Sequence, residues 1–549
     1  MASDAKTLAI LAEDFLKTYF NFYPTSASSL GLHEYDGRIS DLSKEALANF
    51  VKTLHSYHKR LKKIDAKRLA KLEAFDYGLL QWKIEAELWE WTERREYLEN
   101  PMFYSYFAMV DSYVMRNYAP LAERAKSLTQ HLLQFPQFFT IAKQNLKAKV
   151  PRILIEEALP VFAGLSQFIQ NDVIQAFEQL EATLHQELKA ACAIADAAIK
   201  DFCTFLETTL LPTAQTEFAL GPTLFAALLR YNELFDLPLV QLLALGEADL
   251  TRNQAAIVAV AKQLNPTQTV AEQMKALGEN HPEPDQLIPE TKKMLEHSRA
   301  FLLEHDLVTL PTDVKCQVAE TPPFARWAFA MIDTAGAFEE VANDSFYYIT
   351  LPEPAWSPEK TAGWLTKFDF ATMTGISIHE AYPGHFVHFA HVRHAPTQLA
   401  KSFSAYTHYE GWAHYVEQMM LDEGYGENAL NLRMAQLAEA LVRNCRYVCA
   451  IKMHTQGMQI EEATQFFIEN AYMDEVTASK EARRGTHDPG YLNYTLGKLA
   501  LYKLLGDYRA AQGPQFSLKN FHDAFIGYGS PPIPLLRSLL LPSDDGIVI

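Results

Sequence analysis

Pro383 and Gly384, set between two histidines in the run His379-Glu-Ala-Tyr-Pro-Gly-His385, constrain the fold more than any other pair of residues in the chain. A histidine followed at once by a glutamate, with a second histidine close behind, is what a metal-assisted hydrolase requires. Neutral imidazoles hold a zinc ion, and the adjacent carboxylate takes a proton from the water that the ion activates. In the usual arrangement the histidines stand at i and i+4 on one helix face. Here i+4 is Pro383 and His385 is at i+6, about 240° round an ideal helix at ~100° per residue. Proline offers no N–H to the carbonyl of His379 and its ring clashes there, while Gly384 permits unusual dihedrals. A kink or π-bulge at this point is expected to bring His385 round to His379.

A third ligand is sought on a facing helix, and Glu410-Gly-Trp-Ala-His-Tyr-Val-Glu417 has the right character. Glu410 and Glu417 are two helical turns apart on one face. An apolar segment, Gly375-Ile-Ser-Ile, precedes His379, and His385, His388, His391 and His394 follow. At this level alternatives stay open. His388 is three residues after His385, so these two form a possible i, i+3 pair with His379 outside. His414 shares a face with Glu410, and the two read equally as a structural pair or as hydrogen-bonding support for the ligands. Glu417 is a candidate to orient a ligand in the same way. Trp412 reads as core. The segment Arg483-Arg-Gly-Thr-His-Asp-Pro-Gly-Tyr-Leu-Asn-Tyr494-Thr-Leu-Gly-Lys498 reads either as a loop entering a helix with solvated charges or as a substrate clamp. In the clamp, an arginine takes a peptide carboxylate and a tyrosine hydroxyl the oxyanion.

The chain around these motifs reads as mainly α. Leu8, Leu11, Phe15 and Tyr19 repeat at helical spacing, and Asp4, Glu13 and Asp14 interrupt the first twenty residues, so an amphipathic helix is expected there and not a signal peptide. Residues 66–98 read as a long helix, 155–211 as one or two more, and Asn265-Pro266 and 281–284 as turns. Residues 309–318 and 345–350 are β-branched or aromatic and bounded by Pro or Asp, so they are expected to form short strands. The division expected is a helical part over 1–308 and a metal-site part with a small sheet over 309–549, not necessarily as separate domains. With 549 residues, 48% of them hydrophobic, the chain can bury a large core. A net charge of −18 argues against nucleic-acid binding. No uninterrupted apolar run is long enough to span a membrane. The five cysteines follow no framework spacing and read as reduced thiols of a cytoplasmic protein.

The pair His379-Glu-Ala-Tyr-Pro-Gly-His385 and Glu410-Gly-Trp-Ala resembles the family called domain of unknown function 885, whose motifs are His-Glu-x-x-Pro-Gly-His and Glu-Gly-Trp-Ala. Pro24–His33, Gly221–Phe225, Glu320–Pro323, Phe346–Leu351 and Pro489–Gly497 resemble its other segments. The family is similar to the gluzincin metallopeptidases, in which two histidines and a downstream glutamate bind zinc. The resemblance implies a large multi-helix, zincin-like architecture with a small sheet beside the site helix. It implies that His379, His385 and Glu410 bind one Zn²⁺, that Glu380 is the base, and that Glu417 supports a ligand. It places Arg484 and Tyr494 where the family has an arginine and a tyrosine, the first for the substrate and the second, with Tyr491, for the oxyanion. The sequence departs from the family at His388 and Tyr491, where glutamine is usual, and at Ala450 and Lys452, where Asp and Gly are usual. The activity expected is a zinc-dependent peptidase on short peptides, of carboxypeptidase or dipeptidase type. The alternatives are an amidase or esterase on a small non-peptide substrate, and a peptide-binding protein without catalysis.

Overall fold

Amphipathic runs become helices along almost the whole chain, and a three-stranded sheet is the sole β element of any size among the described residues. The computed structural model describes every residue except Met1, Asp313, Pro323, Phe324, Ala325, Trp327, Ala328 and Asn428. The expected strand at 309–318 and the family-like segment Glu320–Pro323 each include one residue outside that set, as does the expected N-terminal helix at Met1. No helix among the described residues is long and apolar enough to cross a membrane.

The chain forms two compact units, Met1–Phe218 with Ala335–Asn343, and Ala219–Thr334 with Asp344–Ile549. This differs from the expected change at residue 308, because helices after residue 219 find their partners in the C-terminal part. Within the second unit, Asp249 and Asn253 on Leu239–Leu264 hydrogen-bond Asn444 at 2.7 Å each. Gly246 leaves room for the Tyr447 ring, which a Cβ there would meet at 2.1 Å.

The first unit is helical from Ala2–Phe22 onward. Lys71–Trp89 continues through a π turn at Glu90–Arg94, so the expected 66–98 helix is interrupted at its end. The 155–211 region is two helices, Arg152–Phe168 and Ala182–Phe205. Phe139, Phe162 and Phe202 meet edge-to-face or tilted in its core, with ring centres 5.0–5.7 Å apart. The segment Ala335–Asn343 is held in this unit by Glu339. Its carboxylate accepts from the amides of Val341 and Ala342 at 2.8 and 3.0 Å and meets His33 Nε2 at 2.9 Å.

This pair makes the unit's stability pH-dependent. Burial works against a charge on Glu339, but His33 and the two amides outweigh it and hold the carboxyl down to about 2. Burial likewise works against a proton on His33, but Asp36 and Glu339 outweigh it and push the imidazole up to about 9. His33 therefore contributes fully below its ordinary 6.5 and loses its contribution as pH rises through 9. Glu339 contributes fully above its ordinary 4.5 and loses it as pH falls through 2. The melting temperature of His33→Gln is expected to lie furthest below wild type between pH 4.5 and 6.5, and to meet it above pH 9. A constant difference across that range in calorimetry would contradict this account.

The second unit carries the motifs. Its sheet is ordered β1 (Cys316–Glu320), β3 (Ser345–Ile349), β2 (Ala330–Asp333), with β1 parallel and β2 antiparallel to β3. The expected 345–350 strand is β3. The expected 309–318 strand begins only at Cys316, and at its expected start the backbone of Thr309 is taken up by side chains. Thr309 N–H donates to Asp523 at 2.7 Å, and its carbonyl meets His391 Nε2 at 2.7 Å. Eight helices matter to the site: α1 (Gly221–Glu233), α2 (Leu239–Leu264), α3 (Phe370–Glu380), α4 (His385–Val392), α5 (Tyr406–Asp422), α6 (Leu430–Thr455), α7 (Glu475–His487) and α8 (Asn493–Gln512). Asp369 caps α3, its Oδ1 accepting the amides of Ala371 and Thr372. Ser377 lies 3.5 Å from the buried Tyr347 hydroxyl on β3, which sets α3 beside the sheet.

Candidate metal centre

The histidine motif is two helices and a break, not one kinked or bulged helix. α3 ends at Glu380 and α4 begins at His385. Between them the Gly384 N–H reaches back to the Ile378 carbonyl at 3.0 Å, and the Tyr382–Pro383 peptide is cis. A Cβ on Gly384 would lie 1.6 Å from the His379 carbonyl oxygen, so the chain can turn this closely only with glycine there. Trp412, wholly buried, donates to the Pro383 carbonyl at 2.9 Å and ties the break to α5. The break turns both imidazoles toward Glu410.

His379 Nε2 and His385 Nε2 each lie 3.4 Å from Glu410 Oε2. Two ligands on a tetrahedral zinc, each about 2.0–2.2 Å from the ion, stand about 3.3–3.5 Å apart. One ligand atom from each of the three residues lies within 4.8 Å of the others, and all three side chains are largely buried. Glu410 Oε2 forms no hydrogen bond of its own. A buried carboxylate oxygen with two ring nitrogens at ligand spacing and no proton partner fits a divalent cation.

The charges around the cluster also call for a cation. Burial lowers the affinity of His379 for a proton, but Glu410 and Glu417 on either side of its ring outweigh burial and push it up to about 10. Burial raises the carboxyl of Glu410, yet the two histidines hold it well below the usual range. His379 is fixed from behind: its Nδ1–H donates to Glu417 Oε1 at 2.6 Å. Glu417 is held in turn by Arg443 at 2.9 Å and His414 Nδ1 at 3.1 Å. Burial raises its carboxyl as well, and Arg443, His414 and His379 overcome that and keep it ionised. A carboxylate on the far nitrogen of a metal-binding histidine fixes the tautomer and strengthens the ligand.

The other expected residues fall in different places. His388 is buried against the 529–530 loop, with Nε2 3.2 Å from both the Gly529 carbonyl and Ser530 Oγ. It does not join the cluster, so the His385/His388 pair is not formed. Tyr494 is beside the centre, its ring 6.4 Å from that of His379. Arg443 and Arg446 stand 5.7 and 5.2 Å from the Tyr494 ring centre. Tyr491 lies deeper, with its hydroxyl against Gly485. No contact among the described residues joins it to His379, His385 or Glu410. Arg484 is already paired, with Asp488 at 2.9 Å and the Tyr406 hydroxyl at 3.2 Å. Glu380 is half-buried at the end of α3, facing Cys316 of β1 and Tyr347 of β3. It makes no hydrogen bond or ion pair among the described residues, so both its oxygens are available.

Three further residues hold the site. Glu233, at the end of α1, accepts the amides of Tyr406 and Thr407 at 3.1 and 2.9 Å and the Thr407 hydroxyl at 2.6 Å. It caps the helix that carries Glu410. Burial, only partly offset by these donors, pushes its carboxyl up to about 7. Arg443 neutralises Glu417. Lys498 is wholly buried near Glu417 with no hydrogen-bond partner for its Nζ. Burial, partly offset by Glu417, brings its ammonium down to about 8. A lone acid at a helix end or a lone lysine in an apolar stripe carries no local signal.

A family model described as "Bacterial protein of unknown function (DUF885)" matches residues 24–540. A protein from Shewanella oneidensis, provisionally described as a lipoprotein of unknown function, superposes with a TM-score of 0.81 at 23% identity, covering 97% of this chain and 99% of that one. One from Colwellia psychrerythraea, also provisionally described as a lipoprotein, gives 0.82 at 18% identity and covers 98% of both chains. These two share the fold. A metallocarboxypeptidase from Trypanosoma cruzi matches with a TM-score of only 0.39 at 13% identity, covering 98% of this chain and 96% of that one, too low a score to argue from. Among curated proteins none matches the sequence.

Proposed function

The chain belongs to the DUF885 family, and from that premise we propose that it is a zinc-dependent peptidase acting on short peptides. The observation that carries this reading is the 3.4 Å spacing of Glu410 Oε2 from both imidazole Nε2 atoms, the edge of a tetrahedral zinc site. His379, His385 and Glu410 would hold the ion, with Glu417 orienting His379. When bound, the ion lowers the pKa of a water toward neutrality and polarises the scissile carbonyl. Glu380 takes the proton of the attacking water and passes it to the leaving amine. Its unengaged carboxylate favours hydrolysis over a binding-only role. Tyr494, with its ring 6.4 Å from that of His379, would donate to the developing oxyanion. A substrate C-terminal carboxylate would replace Asp488 on Arg484, which gives a carboxypeptidase or dipeptidase-like preference.

On location two lines of support oppose each other. All five cysteines are free thiols, which favours a reducing compartment, whereas the lipoprotein descriptions of the two relatives favour a membrane-attached, exported protein. Fractionation of the native host decides between them.

Elemental analysis of the purified protein tests the metal centre. About one zinc per chain is expected, lost in His385→Ala and Glu410→Gln. Glu417→Gln, which keeps the hydrogen bond but not the charge, is expected to weaken zinc about 10- to 100-fold. A wild-type protein that takes up no metal when zinc is supplied would end this reading.

A further inference from the structure

A cleft of about 530 Å³ in the second unit is walled in part by α3, the helix whose last turn carries His379 and Glu380. That volume suits a side chain or a small ligand. Thr372 and Ile376 line it, and the same helical stripe, continued one turn, reaches His379 and Glu380. Across from them α6 contributes Val442 and Arg446. Arg446 is bound to Glu481, also on the cleft wall, through bonds of 2.7 and 2.8 Å. Its guanidinium lies 5.2 Å from the Tyr494 ring centre, and that ring lies 6.4 Å from His379. The Tyr494 ring is therefore the neighbour that Arg446, on the cleft wall, shares with His379.

Of the charged groups on the cleft walls, all but Lys275 are already engaged. Arg446 is spent on Glu481, Lys367 pairs with Asp474 at 3.2 Å, and Glu439 pairs with Arg443 at 2.8 Å. Asp369 caps α3. Lys275 is exposed to solvent. Apart from Lys275, Tyr472 and three threonines, what is left to meet a ligand is apolar: Met274, Phe329, Ile376, Val442 and Met473. A cation entering here would lose its water and find no free carboxylate, and an anion would find only the solvent-exposed Lys275, which is costly. An apolar group would gain by its burial.

We propose that this cleft is the specificity subsite of the enzyme, seating a bulky, uncharged side chain of the substrate peptide, long aliphatic or aromatic. The inference rests on the peptidase reading and adds the class of residue that the enzyme selects. It assigns to the Arg446–Glu481 pair the floor of the subsite, in place of a role in binding substrate charge.

The test uses zinc-loaded Glu380→Gln protein and three probes: trileucine, trialanine and triaspartate. Calorimetry is expected to give trileucine a Kd at least about tenfold below that of trialanine, with triaspartate the weakest. Ala438→Trp on α6 fills the cleft, and Ala271→Trp fills it from an exposed position on the facing wall, where the fold is not at risk. Each is expected to remove the trileucine preference while zinc content and trialanine affinity stay unchanged. Equal affinity for the three peptides, or a trileucine preference that survives both fillings, overturns the proposal. Hydrolysis is scored separately on protein with Glu380 intact. Cleft-dependent binding without any hydrolysis keeps the subsite and rejects the peptidase reading.

Discussion

Replacing Glu380 with glutamine is expected to lower peptide turnover by about 10²- to 10⁴-fold while the protein keeps one zinc per chain. The two halves of this expectation come from different features. Metal retention follows because Glu380 is not one of the three residues whose donor atoms converge. Glutamine matches glutamate in size, so α3 and its neighbouring ligand His379 need not move. The loss of turnover follows because an amide hydrogen-bonds a water but cannot take its proton. The wild-type carboxylate is well suited to that task. It is half-buried, it faces the edge strand β1, and neither oxygen is used in a hydrogen bond among the described residues. Steady-state kinetics with trileucine, paired with elemental analysis of the same preparations, checks both halves. Full turnover in Glu380→Gln would remove the glutamate from the mechanism even with the zinc site intact.

What could be read in the sequence depended on how far apart the partners lie. The convergence of His379, His385 and Glu410 could be read because a dense local motif and a second one nearby both end at the same point in space. The break between the histidines could be read from Pro383, although its form could not. Proline says only that the helix fails there, whereas the Gly384 contact with the His379 carbonyl is what turns the failure into a tight return. Glu233 could not be read. It caps α5 from 174 residues away, and nothing near it marks it as more than a glutamate at a helix end. Arg443 and Lys498 escaped for the same reason, since their meaning comes from Glu417 and from burial. β2 is only four residues long and shows no alternation, so it offered no period to detect. The unit boundary escaped because amphipathic helices around residues 219–308 announce that they will be buried but not against which partner.

A single methyl group added outside the three proposed ligands is expected to damage the centre nearly as much as removing one of them. Gly411 on α5 and Gly497 on α8 meet where the two helices cross. A Cβ on Gly497 would lie 1.9 Å from the Thr407 carbonyl oxygen and 2.8 Å from Gly411 Cα. Both obstacles are backbone, so no change of rotamer relieves them and the helices must part. They part at the worst place. Thr407 is one turn before Glu410, Tyr494 is one turn before Gly497, and the start of α5 is bonded to the buried Glu233. Overpacking alone costs about 1–3 kcal/mol, and stripping donors from a buried carboxylate adds about 1–3 more. Gly497→Ala is therefore expected to destabilise the protein by about 2–6 kcal/mol and to lower its zinc occupancy. Gly506→Ala, on the same helix with nothing within 4 Å of its Cβ, isolates the gain in helix propensity, and is expected to be stabilising by up to ~1 kcal/mol. Calorimetric melting and zinc content of the two variants separate the effects. If both variants melt alike, α5 and α8 do not cross on their glycines, and the placement of Glu410 must be attributed to the Glu233 cap and the Trp412 tie alone.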